Sequence, residues 1–235
     1  MNVVSIMAHQ DDEMRCLGTM LKCRARCDRL HFITLTDGSK GFVQQPDIDR
    51  ATAAAIRDRE MRAIADDLDA TFINLGEPDE YLADTPAVRD ALIEAIRRCR
   101  ADLVFTHFTQ DYNLDHTITS ALVRHCAMQS CLPVLPTASP PLAAHPAVFM
   151  VEPHGPFPFH PSHYVDIAAQ RDEKVRLLAL HVSQEEAMQL GTGTGVAELT
   201  AKVDAFRGDQ VGVAWAEAFV PMPARGAFKP FPVLP

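Results

Sequence analysis

The stretch NVVSIMAHQDDEM, residues 2–14, decides how this chain is read. Its first half, Asn2 to Ala8, is a continuous apolar run ended by polar residues, the pattern of a strand buried on both faces. Its second half sets one histidine and three carboxylates, His9, Asp11, Asp12 and Glu13, within a span of five residues. Like charges this close repel one another. A fold tolerates them on a solvated loop, or gathers them around a cation.

Working outward, strands and helices alternate. Met14 to Arg26 reads as a helix, and LHFITLT (30–36) as a second strand rich in β-branched and aromatic residues. DGSKG is a turn, Ala51 to Leu68 a helix, and TFINL (71–75) a third strand. Pro86 to Arg100 is a helix, DLVFTHF from Asp102 a fourth strand, and Leu114 to Met128 a further helix. The proline-rich stretch from Cys131 to Pro161 reads as a surface loop interrupted by a strand at AVFMVE. A last helix is expected from Ala168 to Gln189, GTGTG (191–195) as a flexible joint between helices, and VGVAWAEAFVP as a closing apolar segment. This alternation predicts an α/β fold: a Rossmann-like, doubly wound, mainly parallel sheet with helices on both faces, in one domain over residues 1–235.

In open parallel sheets, ligands bind beyond the carboxyl ends of the strands where the strand order reverses. With strand order 3-2-1-4, that crevice lies between the loops after strands one and four. The first is AHQDDE and the second THFTQDYNLDH, Thr106 to His116, the two segments richest in ligand-type residues. His9 and Asp12 are three apart and can turn to one ion; His116 is the best third ligand. Three protein ligands and an open position are how catalytic zinc is held, and the same donors suit ferrous iron or cobalt. Asp11 is then left over as the general base, and Glu13 supports the ligands or favours the helix N-terminus. A D-D-E cluster before a helix is also an ordinary cap, so the weight rests on the two loops meeting.

The remaining features narrow the classes. The net charge of −9 and the lack of a long basic run argue against nucleic acid, and nothing favours an anionic membrane. None of the six cysteines forms a CxxC pair; Cys16, Cys23 and Cys27 fall at helical spacing and read as a buried face in a reduced, cytoplasmic protein. No targeting or transmembrane pattern is read. GTGTG lacks the spacing of a dinucleotide loop, and no serine has a GxSxG context. Apolar residues near the C-terminus, such as Phe228 and Phe231, are either a tail packed on the core or an interface, so a homo-oligomer is compatible.

AHQDDE resembles the A-H-[PQ]-D-D-E signature of the LmbE-like (PIG-L) deacetylases, zinc-dependent hydrolases of N-acetylglucosamine-type substrates. TLTDGSKG resembles the family's glycine turn. IRDRE (56–60) with NLGEPD (74–79) resembles its I-R-x-x-E helix and L-G-x-P-D segment. NLDH (113–116) stands where the family has H-x-D-H, YVDIAAQRDEKVRLLALHVSQ (164–184) resembles its V-D-I…K…H-x-S-Q helix, and WAEAF its A-E-x-F. The resemblance implies His9, Asp12 and His116 as metal ligands, Asp11 as base, and Arg57 as a contact to the sugar; without it, Arg57 reads as an exposed helix arginine paired with Glu60. Asp115 then orients His116 or caps the helix.

Asn113 departs from the family's histidine. An amide can donate to an oxyanion but cannot act as an acid, so the proton returns through Asp11, or His160, His163 or His181 supplies it. The activity this implies is removal of an acetyl group from an N-acetylglucosamine-type amino sugar or its conjugate, by a metal-bound water that Asp11 activates. The alternatives are an amidase on another N-acyl or thiol conjugate, or a sugar-binding module that has lost the chemistry.

Overall fold

The computed structural model describes residues 1–223; Phe228 and Phe231 lie outside them. The strands in chain order are β1 (Asn2–Met7), β2 (Arg29–Thr36), β3 (Thr71–Glu77), β4 (Leu103–Thr106), β5 (Ala147–Val151), β6 (His163–Asp166) and β7 (Ala216–Pro221). They form one sheet in the order β3-β2-β1-β4-β5-β7-β6. The first five run parallel, and β7 pairs antiparallel with both β5 and β6. The expected 3-2-1-4 order is therefore present, and β1 is its hub.

The helices are α1 (Leu17–Ala25), α2 (Arg50–Asp67), α3 (Pro86–Arg98), α4 (Leu114–Gln129), α5 (Arg171–Leu178), α6 (Val182–Thr192) and α7 (Val196–Asp209). They cover both faces, and β1 shows why. Val3 and Met7 point into one apolar layer, with residues of α1, α2, α5 and α7; Val4 and Ile6 point into the other, with residues of α3 and α4. Alternation along a strand thus feeds two cores, which is why the run reads as continuously apolar. Local chemistry sets the helix starts. Asp49 Oδ1 accepts from Thr52 N at 3.0 Å, Thr85 caps α3 ahead of Pro86, and Asn113 caps α4.

Three expectations need correction. The helix expected from Met14 is a 3-10 turn over Asp12–Arg15, and α1 begins only at Leu17. The helix expected over Ala168–Gln189 is a short 3-10 turn, α5 and α6, broken where His181 turns inward. His163 to Asp166 is a strand, because β7 has a free edge that it pairs with. Of the three helix-spaced cysteines, Cys16 and Cys23 are buried, whereas Cys27 follows α1 and is exposed.

Candidate metal centre and active site

The loops after β1 and β4 meet where the topology requires. His9 Nδ1 and His116 Nε2 face each other at 3.2 Å. The two oxygens of Asp12 close the triangle, 3.2 Å from His9 Nδ1 and 3.3 Å from His116 Nε2. A tetrahedral ion with bonds of about 2.0–2.1 Å spaces its ligands by about 3.3–3.4 Å, so these three side chains fit one.

The outer nitrogens meet carboxylates. His9 Nε2 is 3.0 Å from Asp79 Oδ1 and 3.4 Å from Asp115 Oδ2; His116 Nδ1 is 3.1 Å from Asp111 Oδ1. A carboxylate there favours the proton on the outer nitrogen and leaves the inner lone pair for a cation. Asp115 therefore stands against His9 rather than orienting His116, and it does not cap the helix either. Its oxygens accept from Glu80 N (2.8 Å) and Leu82 N (3.1 Å), tying the β3 loop to α4. Asp111 takes the place beside His116 that was expected of Asp115.

Electrostatics follow from burial and pairing. Burial alone would lower His9, but Asp115, Asp12 and Asp79 hold it well above the usual histidine range. Burial would raise Asp12, yet His116 and His107 pull it well below the usual carboxylate range. His107, buried behind the site, accepts from Ala8 N at 2.9 Å through Nε2; burial lowers it to about 4.

Asp11 is held from two sides. Arg57 Nη2 donates to its Oδ1 at 2.8 Å and also to Gln10 O. Glu13 Oε2 accepts from Asp11 N at 3.0 Å, and Glu13 Oε1 lies 2.7 Å from His181 Nε2. Burial raises the Asp11 carboxyl above its ordinary value, against the pull of Arg57. Arg57 is 1% exposed, so it is not an exposed helix arginine; Glu60 accepts from Ser183, and the expected pairing is present, with Arg57 Nη1 3.9 Å from Glu60 Oε2. Its Nε and Nη1 are buried without a hydrogen-bond partner among the described residues. Gly38, at φ +66°, leaves room for both neighbours: a Cβ there would stand 2.2 Å from Gln10 Oε1 and 3.1 Å from Arg57 Nε.

These groups line one cavity of about 360 Å³, with His9, Asp11, Asp12, Arg57, Asn113 and His116 at its polar end. Asn113 Oδ1 accepts from Asp115 N (2.7 Å) and its Nδ2 donates to Glu80 Oε1 (3.0 Å), leaving one amide hydrogen. His160, His163 and His181 do not line the cavity; His154 does, beside His116. Burial, with the charge of Arg15, lowers His154 to about 3. Its only signal in the sequence was a histidine in the long loop after β5. Asp79 and Asp111 stood inside the segments NLGEPD and THFTQDYNLDH, but no role was read for either.

The family model described as PIG-L, GlcNAc-PI de-N-acetylase, matches residues 4–127. Among solved structures, the conserved protein TT1542 from Thermus thermophilus is 27% identical, with TM-score 0.76 and 97% of each chain covered. N,N'-diacetylchitobiose deacetylase from Pyrococcus horikoshii shares the fold at 23% identity, TM-score 0.79, covering 94% of this chain and 83% of that one. So does the 4-carboxy-2-hydroxymuconate hydratase GalB from Pseudomonas putida, at 20% identity, TM-score 0.82, covering 98% and 100%. The matched segment carries the β1 and β4 loops with His9, Asp12 and His116 at their junction, and the chain belongs to the PIG-L family of de-N-acetylases.

Proposed function

We propose that this protein is a metal-dependent N-deacetylase of an N-acetylglucosamine-type amino sugar or its conjugate. The observation that carries the reading is the pair of inner imidazole nitrogens facing each other across 3.2 Å, closed by Asp12 and backed by outer carboxylates. The donor set suits zinc, and also ferrous iron or cobalt. A divalent cation in such a site supplies Lewis acidity, polarising an amide carbonyl and making water a stronger acid.

The chain's own residues do the rest. Asp11 takes a proton from the attacking water as the water oxygen bonds to the acetyl carbon. The remaining amide hydrogen of Asn113 donates to the developing oxyanion. Asp11 returns its proton to the nitrogen as the C–N bond breaks, and acetate and free amine leave. This accounts for a family histidine replaced by Asn113, since one carboxyl serves as base and then acid. Arg57 orients Asp11 through Nη2 and, as a lining residue of the cavity, stands where it can contact the sugar. Asp115 and Asp111 hold the two ligand histidines.

The fold alone does not choose the reaction, because the Pseudomonas hydratase shares it; family membership favours amide hydrolysis. Elemental analysis of wild type and His116→Ala, paired with an acetate-release assay on N-acetyl sugars, tests the reading. About one zinc, iron or cobalt per chain, lost in the variant together with acetate release, is expected. Metal-replete protein that frees no acetate from any N-acetyl sugar overturns it.

A further inference from the structure

The cavity has two unlike halves. Its polar half comes from the loops after β1, β2, β3 and β4, with Arg57 of α2. Its other wall is Met14, Met188, Val196 and Leu199, with Thr192 on the same side. Three of those four apolar residues come from α6 and α7, beyond the segment the family model matches. The apolar wall is therefore built by the part of the chain that the shared catalytic motifs do not include.

The wall is fixed to the loop after β2 and to α2, which line the same cavity through Gly38, Gly41 and Arg57. Gln184 Nε2 donates to Gly41 O at 3.0 Å, Gln44 Nε2 to Ser183 O at 2.9 Å, and Ser183 N and Oγ to Glu60 at 2.8 and 2.7 Å. GTGTG makes the corner that sets α6 against α7. Gly193 ends α6 at φ +72°, and Gly195 packs so closely on Glu185 that a Cβ would stand 1.8 Å from Oε2. Glu185 Oε1 accepts from Ala197 N at 2.7 Å, closing the corner. The corner delivers Met188 from one helix and Val196 and Leu199 from the next to a single surface.

A sugar ring and an acetamide are satisfied by the polar half. They leave the opposite wall, where Met188 and Leu199 are only half-buried, against water. Apolar surface continuous with a reaction centre and left uncovered marks the place of an apolar ligand group. We infer that the α6–α7 wall is a specificity subsite, and that the substrate is an amino-sugar amide carrying an alkyl or aryl group, which lies on this wall while its amide lies at the His9–Asp12–His116 centre.

The inference rests on the deacetylase reading for the amide and on the wall for the apolar group. The group is either the aglycone or the acyl chain, and product binding tells them apart without turnover. Calorimetry on zinc-loaded wild-type protein would compare methyl with hexyl glucosaminide, and acetate with hexanoate. A buried methylene is worth roughly fourfold, so with half of the extra methylenes covered, either hexyl glucosaminide should bind about 30-fold tighter than the methyl compound or hexanoate about 16-fold tighter than acetate. The pair that responds identifies the group. Leu199→Ser and Met188→Ser should each shrink that ratio, with unchanged circular dichroism. Equal or undetectable binding within both pairs overturns the inference. Hexyl preference without deacetylation of any N-acyl sugar overturns only the deacetylase reading; deacetylation without hexyl preference overturns only the subsite.

Discussion

Asp11 sits at φ 137°, ψ −19°, a backbone conformation that side chains other than glycine rarely adopt. Such strain costs about 1–3 kcal/mol and persists only where neighbours over-determine it. Here Glu13 holds its N–H and Arg57 its carboxylate, so the carboxylate is held in one orientation in the structure as it stands. If Asp11 is the proton carrier, Asp11→Asn should retain metal and lose about 10²- to 10⁴-fold in kcat. An amide at this position with full turnover would remove the role. His9, Asp11 and Asp12 were legible because they are near neighbours in one loop. Asp79 and Asp111 stood inside NLGEPD and THFTQDYNLDH without a readable role, and His154 stood alone in the loop after β5, because which carboxylate faces which imidazole is set by contacts between loops and not by spacing.

The elements around the site are braced by a buried ionic cluster. Lys174 on α5, 1% exposed, donates to Asp204 of α7 at 2.6 Å and to Glu217 of β7 at 2.7 Å. Glu217 also accepts from Gly18 N (2.8 Å) and Thr19 N (2.7 Å), so it pins the start of α1 and, through it, the turn carrying Asp12. The motif residues Lys174 and Glu217 thereby acquire a physical reason: they hold the C-terminal elements to the turn that carries Asp12. Lys174→Met leaves two buried carboxylates without their cation and should cost about 3–5 kcal/mol, read by urea unfolding.

The same cluster predicts a pH effect. Burial raises Asp204 to about 6, against the pull of Lys174 and with the push of Glu217. The folded chain therefore binds this proton more tightly than the unfolded chain does. Its contribution to stability is full below about pH 4 and is lost as pH rises through 6. Wild type should lose stability relative to Asp204→Asn across that window; a constant difference would reject the raised value.

At the scale of the whole molecule, the switch point between β1 and β4 collects carboxylates from several loops around two histidines. Their mutual repulsion is a cost that a bound cation relieves, and a cation that binds only the folded chain stabilises it by mass action. Chelation should lower the melting temperature, and zinc at a hundredfold excess over its Kd should restore about 2.7 kcal/mol, an effect that Asp12→Asn blunts. No response of the melting curve to either treatment would count against the centre. Among the described residues no helix is long and apolar enough to cross a membrane.

The sequence by itself determined the strand–helix alternation, the parallel core sheet and its hub, and the three residues that converge on one point. Each of these is written locally: in periodicity, in caps, or in a motif at a strand end. The tertiary structure alone decided the antiparallel β7–β6 extension, the inward turn of His181 that breaks the last helix, the pairing of Asp115 with His9 and Asp111 with His116, and the apolar wall facing the His9–Asp12–His116 cluster. These depend on contacts between segments as much as 199 residues apart, as for Gly18 and Glu217. A one-dimensional pattern carries no distance across such a gap; packing two cores on one sheet supplies it.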